Sequence, residues 1–381
     1  MLRVFSRTDR SIFAQWWWSV DRWMVAGVLV LIAFGFLMAF AASPAVAQHI
    51  GKPIYHFANK QLVFLSLSLG VFVVVSMLPP ERIRHFAWGL FAVSLAALAA
   101  TLFAGVTIKG ASRWLYVFGF SVQPSEILKP AFVVVSAWLL ARHGARPDRR
   151  GVLWSGAWLA LVCVLLVLQP DIGQMTLFLL VWLGLFFLAG GSMRLIAGLG
   201  AAALAAGAYL YATMPHVADR VDRFLDPASG DTYQVDKAMD AIRSGGVIGV
   251  GLGDGRVKSI LPDAHSDYVF AVAAEEGGFL LGGVIIFTFA GLVCRALIRL
   301  REEKEHWILL AALGLTCLFG LQAFINLAVN LNVAPTKGMT LPFISYGGSS
   351  LIASAMTMGM LVGLMRRRET PRAPAFAEAV R

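Results

Sequence analysis

Ten stretches of apolar sequence recur along the chain, at roughly 23–42, 61–78, 86–108, 124–141, 152–168, 172–190, 195–213, 268–294, 307–330 and 349–365. A bilayer core takes about 20 residues of helix to cross. Hydrocarbon offers no water to a stray backbone group, so a spanning segment must satisfy its own. Repetition at this length restricts the chain to an all-α, polytopic membrane bundle of about ten transmembrane helices. Composition agrees: of 381 residues, 58% are hydrophobic and only 14% are charged, against about 25% in a soluble domain. The first run is longer than a signal-peptide core and reads as a retained span. Gln169, Pro170 and Asp171 alone separate the fifth and sixth runs, which predicts a tight hairpin.

The net charge of +10 does not point to nucleic acid, because the basic residues cluster between the apolar runs. Lys and Arg gather on cytoplasmic loops. The amino terminus, the carboxyl tail and loops 79–85, 142–151, 191–194 and 295–306 hold 20 of them, whereas the short loops of the opposite side hold 5. Both termini are therefore expected in the cytoplasm of a cell whose inner membrane the chain spans. A large extracytoplasmic loop, about 214–267, carries 9 aspartates against 6 basic residues. Residues 1–368 read as one transmembrane domain, and the Ala- and Pro-rich tail 369–381 as a short disordered cytoplasmic segment. The cysteines, Cys163, Cys294 and Cys317, lie in apolar runs without metal-ligand spacing and read as buried hydrophobes.

Charge at membrane depth is costly and marks function. In residues 109–130, Arg113 and Trp114 precede Pro124, Ser125, Glu126 and Lys129. Glu126 and Lys129 can pair on one helix face, and the alternative for the whole group is an interfacial Trp, a snorkelling Arg and an ordinary helix cap. Asp171 either caps the sixth span or faces a polar cavity. In LPDAHSDYVFAVAAEE, residues 261–276, Ser266 or Asp267 could cap the eighth span. Glu275 and Glu276 lie deeper, and adjacent helical positions diverge by about 100°, so the two are not expected to serve one site. The segment APTKGMTLPFISYGGSS, residues 334–350, is too rich in Pro and Gly for a regular span and brings Lys337 near the outer face. The glycines of GVGLGDG, residues 249–255, lack the strand and lysine of a phosphate loop. Acids and cations gathered at one face of a membrane body suit a lipid-linked substrate with an anionic head, although a transporter also places charge at depth.

Four stretches carry a family resemblance: PTKGMTLPFISYGGSS at 335–350, QPSEILKP at 123–130, QPDIG at 169–173, and YQVDKAMDAIRSGGVIGVGLGDG leading to LPDAHSDYVFAVAAEEGG. Over roughly residues 20–368 the chain resembles the SEDS family, the shape, elongation, division and sporulation proteins, and its Thr-Lys-Gly at 336–338 favours the cell-division branch. The resemblance implies ten spans, a large loop after the seventh, and a peptidoglycan glycosyltransferase that polymerises lipid II at the division septum. The family's essential aspartate falls on Asp267, its Arg-Trp on Arg113 and Trp114, its Glu and Lys on Glu126 and Lys129, and its hairpin Asp on Asp171. The aspartate motif departs from the family's His-Thr-Asp-Phe, reading His265-Ser266-Asp267-Tyr268.

On this reading Asp267 is the general base, and Arg113, Lys129 or Lys337 hold the undecaprenyl diphosphate leaving group. His265, Trp114, Glu126 and Asp171 complete the substrate contacts. Mg²⁺ or Mn²⁺ on Asp267 or Asp171 is left open, and no nucleotide or organic cofactor is expected. Expected partners are lipid II, a class B penicillin-binding transpeptidase, other division proteins and membrane lipid, but no nucleic acid. A lipid II flippase, with Glu275 and Glu276 on its polar path, and a non-enzymatic division scaffold are the alternatives.

Overall fold

The computed structural model describes residues 11–367 apart from 50, 109–110, 118, 143, 145–146, 227–231 and 337. A short helix, α1 (Ile12–Ser19), leads into α2 (Arg22–His49), α3 (His56–Ser76) and α4 (Pro80–Ala104). Three strands follow, β1 (Val106–Ile108), β2 (Ala111–Val117) and β3 (Phe120–Val122), and then α5 (Pro124–Ala141), α6 (Arg149–Leu168), α7 (Ile172–Leu188) and α8 (Met193–Thr213). The long loop contains α9 (Pro215–Leu225) and α10 (Tyr233–Gly245). The chain closes with α11 (Val269–Leu300), α12 (His306–Asn330) and α13 (Gly348–Leu364). Each of the ten apolar runs forms a helix, the third only as far as Ala104. Eight helices are long and apolar enough to cross a membrane, and α7 and α13 are apolar helices of 17 residues each. The tail 369–381 lies outside the described residues.

The small sheet is the one element that the apolar pattern hides. The third run continues to residue 108, yet the helix stops at Ala104 and Gly105 turns extended. The β-branched residues Val106, Thr107 and Ile108 favour a strand, which pairs antiparallel with β2; β2 in turn pairs with β3. This meander sits over the end of the bundle where α4 finishes and α5 begins.

Burial shows how the bundle is layered. Of the 18 residues of α5, 16 are buried, whereas α8 buries none. The packing therefore centres on α5, which lies against α4, α12 and α13, while α13 also packs on α3. The first and last described segments meet on one side. Arg366 Nε donates to Ser19 Oγ at 2.9 Å, and the Arg367 N–H to the Ser19 carbonyl at 3.1 Å. Trp16 Nε1 adds a bond to Ser76 Oγ at 2.9 Å.

α11 is kinked and its hydrogen bonding is broken at Gly278, which takes φ 66° and ψ −168°, a conformation open essentially to glycine alone. The break leaves the carbonyls of Glu275 and Glu276 without helical partners. Val250 and Gly251 N–H donate to them at 3.0 and 3.1 Å, while Phe279 and Leu280 N–H donate back to Gly246 and Val247 at 2.9 and 3.2 Å. The glycine-rich stretch after α10 thus repairs a helix. A Cβ at Gly249 would stand 2.1 Å from the Glu276 carbonyl oxygen, and one at Gly245 would stand 1.9 Å from that of Ala274.

Substituting Gly278→Ala adds left-handed strain and a Cβ 2.4 Å from Gly249 N. We expect a loss of about 3 kcal/mol, read as a lowered thermal midpoint in detergent. Gly283→Ala, in the same helix with open space around its Cβ position, should leave the midpoint unchanged or raise it.

Candidate active site

A cavity of about 470 Å³ opens at the end of the bundle that bears the sheet. Arg113 and Trp114 from β2 and Gln123 and Glu126 from the start of α5 form one wall. Asp263, Ser266 and Asp267 face them, and Thr336, Gly338 and Thr340 close the third side. The walls come from segments far apart in sequence, held by backbone bonding: Tyr346 N–H donates to the His265 carbonyl at 2.8 Å, and Ser345 Oγ to that of Ser266 at 2.5 Å.

Asp267 is placed by its backbone. Asp263 takes φ 52°, and its carbonyl receives the N–H groups of Ser266, Asp267 and Tyr268 at 3.1 to 3.3 Å. The Asp267 carbonyl is then fixed from α12, where Asn326 Nδ2 and Asn330 Nδ2 both donate to it at 2.9 Å. Asn330 Oδ1 accepts the Ala271 N–H at 3.1 Å, so one side chain secures both Asp267 and the first turn of α11. Tyr268 occupies the N-cap of α11 without a side-chain cap bond, so capping does not account for Asp267. A Cβ at Gly338 would lie 3.5 Å from Asp267 Oδ2, which puts Gly338 alongside the carboxylate.

Behind the Glu126 wall lies a polar layer with little exposure. Lys129 Nζ is 2.8 Å from Glu126 Oε2 and donates to Gln322 Oε1 at 2.9 Å, with the side chains of the ion pair 3% and 5% exposed. Gln174 on α7 donates to the other Glu126 oxygen, and Gln322 reaches back to the Thr340 carbonyl at 3.3 Å. Asp171 is the N-cap of α7, accepting from Gln174 N–H at 3.4 Å. Burial pushes its carboxyl above the usual carboxylate range, and the Arg113 guanidinium, 3.7 Å away, opposes that rise. Arg113 also donates to the carbonyls of Gln169 and Pro170, so the hairpin holds the arginine at the cavity wall.

The structure therefore brings Arg113, Trp114, Glu126 and Asp267 onto one cavity, with Asp171 and Lys129 in the layer supporting it. His265 lies outside, between Phe57 and Tyr346 at ring distances of 4.9 and 5.2 Å. Lys337 lies outside the described residues. Glu275 and Glu276 do meet at one place, contrary to the divergence expected of adjacent positions. Glu275 accepts the N–H groups of Val257 and Lys258 at 2.7 and 2.9 Å, while Glu276 pairs with the Lys258 ammonium. The segment wraps across the end of the helical turn, so side chain and backbone of one short turn can meet both carboxylates. A search for charge misses Gln322, Asn326 and Asn330. Their spacing of four puts three carboxamides on one face of an apolar helix, and that was the available signal.

Comparison with known proteins decides the family. A family model for FtsW, RodA and SpoVE, described as "Cell cycle protein", matches residues 22–370. The chain belongs to this family. A protein of Caulobacter vibrioides named "Probable peptidoglycan glycosyltransferase FtsW" is 42% identical over 96% of this chain and 94% of its own. One of the same name from Halomonas elongata is 37% identical, covering 94% and 95%. Among solved structures, a chain from work described as "Structural coordination of polymerization and crosslinking by a peptidoglycan synthase complex" superposes with TM-score 0.74 at 27% identity, over 91% of this chain and 97% of that one. The Thermus thermophilus rod shape determining protein RodA gives 0.66 at 26%, over 92% and 97%.

Replacing Asn330 with Ala strands the Ala271 N–H and removes one donor from the Asp267 carbonyl. The expected cost is about 1–3 kcal/mol, measured by thermal unfolding. Truncation of exposed Phe324 on the same helix should cost less.

Proposed function

We propose that the protein is a peptidoglycan glycosyltransferase that polymerises lipid II, with Asp267 as its general base. The observation that carries this reading is a carboxylate on an open polar cavity, anchored through its own carbonyl by two asparagines and faced by an arginine-bearing wall. The names of the curated relatives support the reaction class, and a membrane body with one polar cavity fits a substrate whose tail stays in lipid.

Asp267 accepts the proton from the 4-hydroxyl of the acceptor N-acetylglucosamine. The oxygen attacks the anomeric carbon of the donor N-acetylmuramic acid, and the bond from that carbon to the diphosphate oxygen breaks as undecaprenyl diphosphate leaves. A single displacement inverts the anomeric centre. Arg113, held by three acceptors of the hairpin, offers fixed positive charge where the diphosphate develops its own. Lys129 is turned away into the bundle, where it pairs with Glu126 at the cavity edge. Among the described residues no three His, Cys, Asp or Glu side chains converge. A divalent ion would thus rest on Asp267 and take its remaining ligands from water and diphosphate, which suits Mg²⁺; when bound it would neutralise leaving-group charge.

The Lys and Arg distribution supports both termini in the cytoplasm and the cavity at the outer face of the inner membrane. Likeness to a chain of a synthase complex that couples polymerisation to crosslinking supports a transpeptidase partner, and the FtsW-named relatives support action at the division septum. A flippase loses its deepest candidate charges, because Glu275 and Glu276 are occupied by Lys258 and the backbone beside it.

Polymerisation of labelled lipid II by wild type and Asp267→Asn, at matched folding and with the partner present, tests the assignment. We expect glycan chains from wild type and a loss of at least about 100-fold in the variant, the usual span of general-base catalysis. Equal rates would remove Asp267 as base. An inactive wild type that moves lipid II across vesicles would replace the enzyme by a transporter.

A further inference from the structure

α4 and α6 run side by side, and an apolar groove of about 450 Å³ lies between them, from Trp88 near the middle of α4 up to Ala99 and Leu165. Its walls are Trp88, Leu95 and Ala99 of α4 and Trp158, Leu161 and Leu165 of α6, with no polar side chain among the lining residues. Arg84 stands one turn before Trp88 on the same stripe of α4, at the foot of the groove. The Arg84 guanidinium lies 5.6 Å from the ring centre of Trp138, and Arg142 lies 5.2 Å from the same ring. Trp138 packs edge-on against Trp88 at 6.0 Å, which links the arginine pair to the groove wall. Arg150 falls on the stripe of α6 that continues to Trp154 and Trp158.

Two guanidiniums share one indole, whose ring offsets only part of the cost of holding positive charge there. Among the described residues neither has an ion-pair partner. Snorkelling explains an arginine beside a tryptophan at a membrane boundary. It does not explain two arginines converging on one ring at the mouth of a groove without polar lining. An anionic head group drawn to these guanidiniums, attached to hydrocarbon lying in the groove, satisfies both features together.

We propose that this groove is a binding site for one anionic phospholipid, its phosphate on Arg84 and Arg142 and an acyl chain along Trp88, Leu95 and Leu161. Basic pockets between spans at the cytoplasmic side are the usual setting for such head groups. The leaflet follows from the orientation proposed above, which places the foot of α4 in the cytoplasm. The site itself uses no residue of the cavity, so it stands or falls independently of Asp267.

The test is lipid retention by the purified full-length protein, read by native mass spectrometry after exchange with phosphatidylglycerol or phosphatidylcholine of identical chains. Wild type should retain one phosphatidylglycerol with about tenfold preference. The Arg84→Gln, Arg142→Gln double variant should lose the preference while keeping chain binding, and Ala96→Phe, which fills the groove, should lose retention of both lipids. Thermal midpoints of all three proteins without added lipid separate misfolding from loss of the site. Equal retention of the two lipids by wild type, or a preference surviving in the double variant, overturns the proposal. Displacement of phosphatidylglycerol by equimolar undecaprenyl phosphate would assign the groove to the carrier lipid and overturn it as well.

Discussion

A single ion pair on the most buried helix organises the rest. Glu126 and Lys129 form a buried ion pair on α5, and removing either partner would leave an uncompensated buried charge that costs several kcal/mol. Their remaining valences are met from α7 through Gln174 and from α12 through Gln322. Three helices are thereby drawn to one point by polar contacts, in a medium where apolar packing gives little directional preference. Gln322 also contacts Thr340, so the same network sets the floor of the cavity and the position of the loop across its mouth.

The catalytic carboxylate proposed here is held by different means. α12 fixes the backbone of Asp267 one and two turns beyond Gln322, through Asn326 and Asn330. One helix thus carries both the support of the arginine-bearing wall and the support of the base, and the distance between the two faces of the cavity is set by the spacing of residues 322, 326 and 330. Rigid placement of this kind is what makes a fixed electrostatic site effective, since its groups need not reorganise during reaction.

Much of this could be read from the sequence. Ten apolar runs became ten helices because length and hydropathy leave a membrane chain no other regular choice. Arg113, Trp114, Glu126 and Asp267 reached the cavity because charge near hydrocarbon survives only where something uses it. What stayed hidden has equally physical causes. The sheet at 106–122 was masked because β-branched residues continue an apolar run without a change in hydropathy. Gln322, Asn326 and Asn330 were overlooked because amides carry no charge, and their importance arises from partners 59 and 63 residues away in sequence. The glycines of 249–255 read as a weak nucleotide pattern, whereas Gly249, with Gly245 before it, allows one backbone to approach another.

That approach has a consequence for how the protein is made. Until residues 246–251 arrive, α11 presents two uncovered carbonyls and two uncovered N–H groups at its break, beside Phe279 and Leu280, which are 78% and 59% exposed on the apolar surface. Open backbone groups in hydrocarbon are penalised heavily. Biogenesis is therefore ordered: residues 246–251 have to fold against the eighth span before that span can settle, so the helix is completed only once the segment preceding it has taken its place.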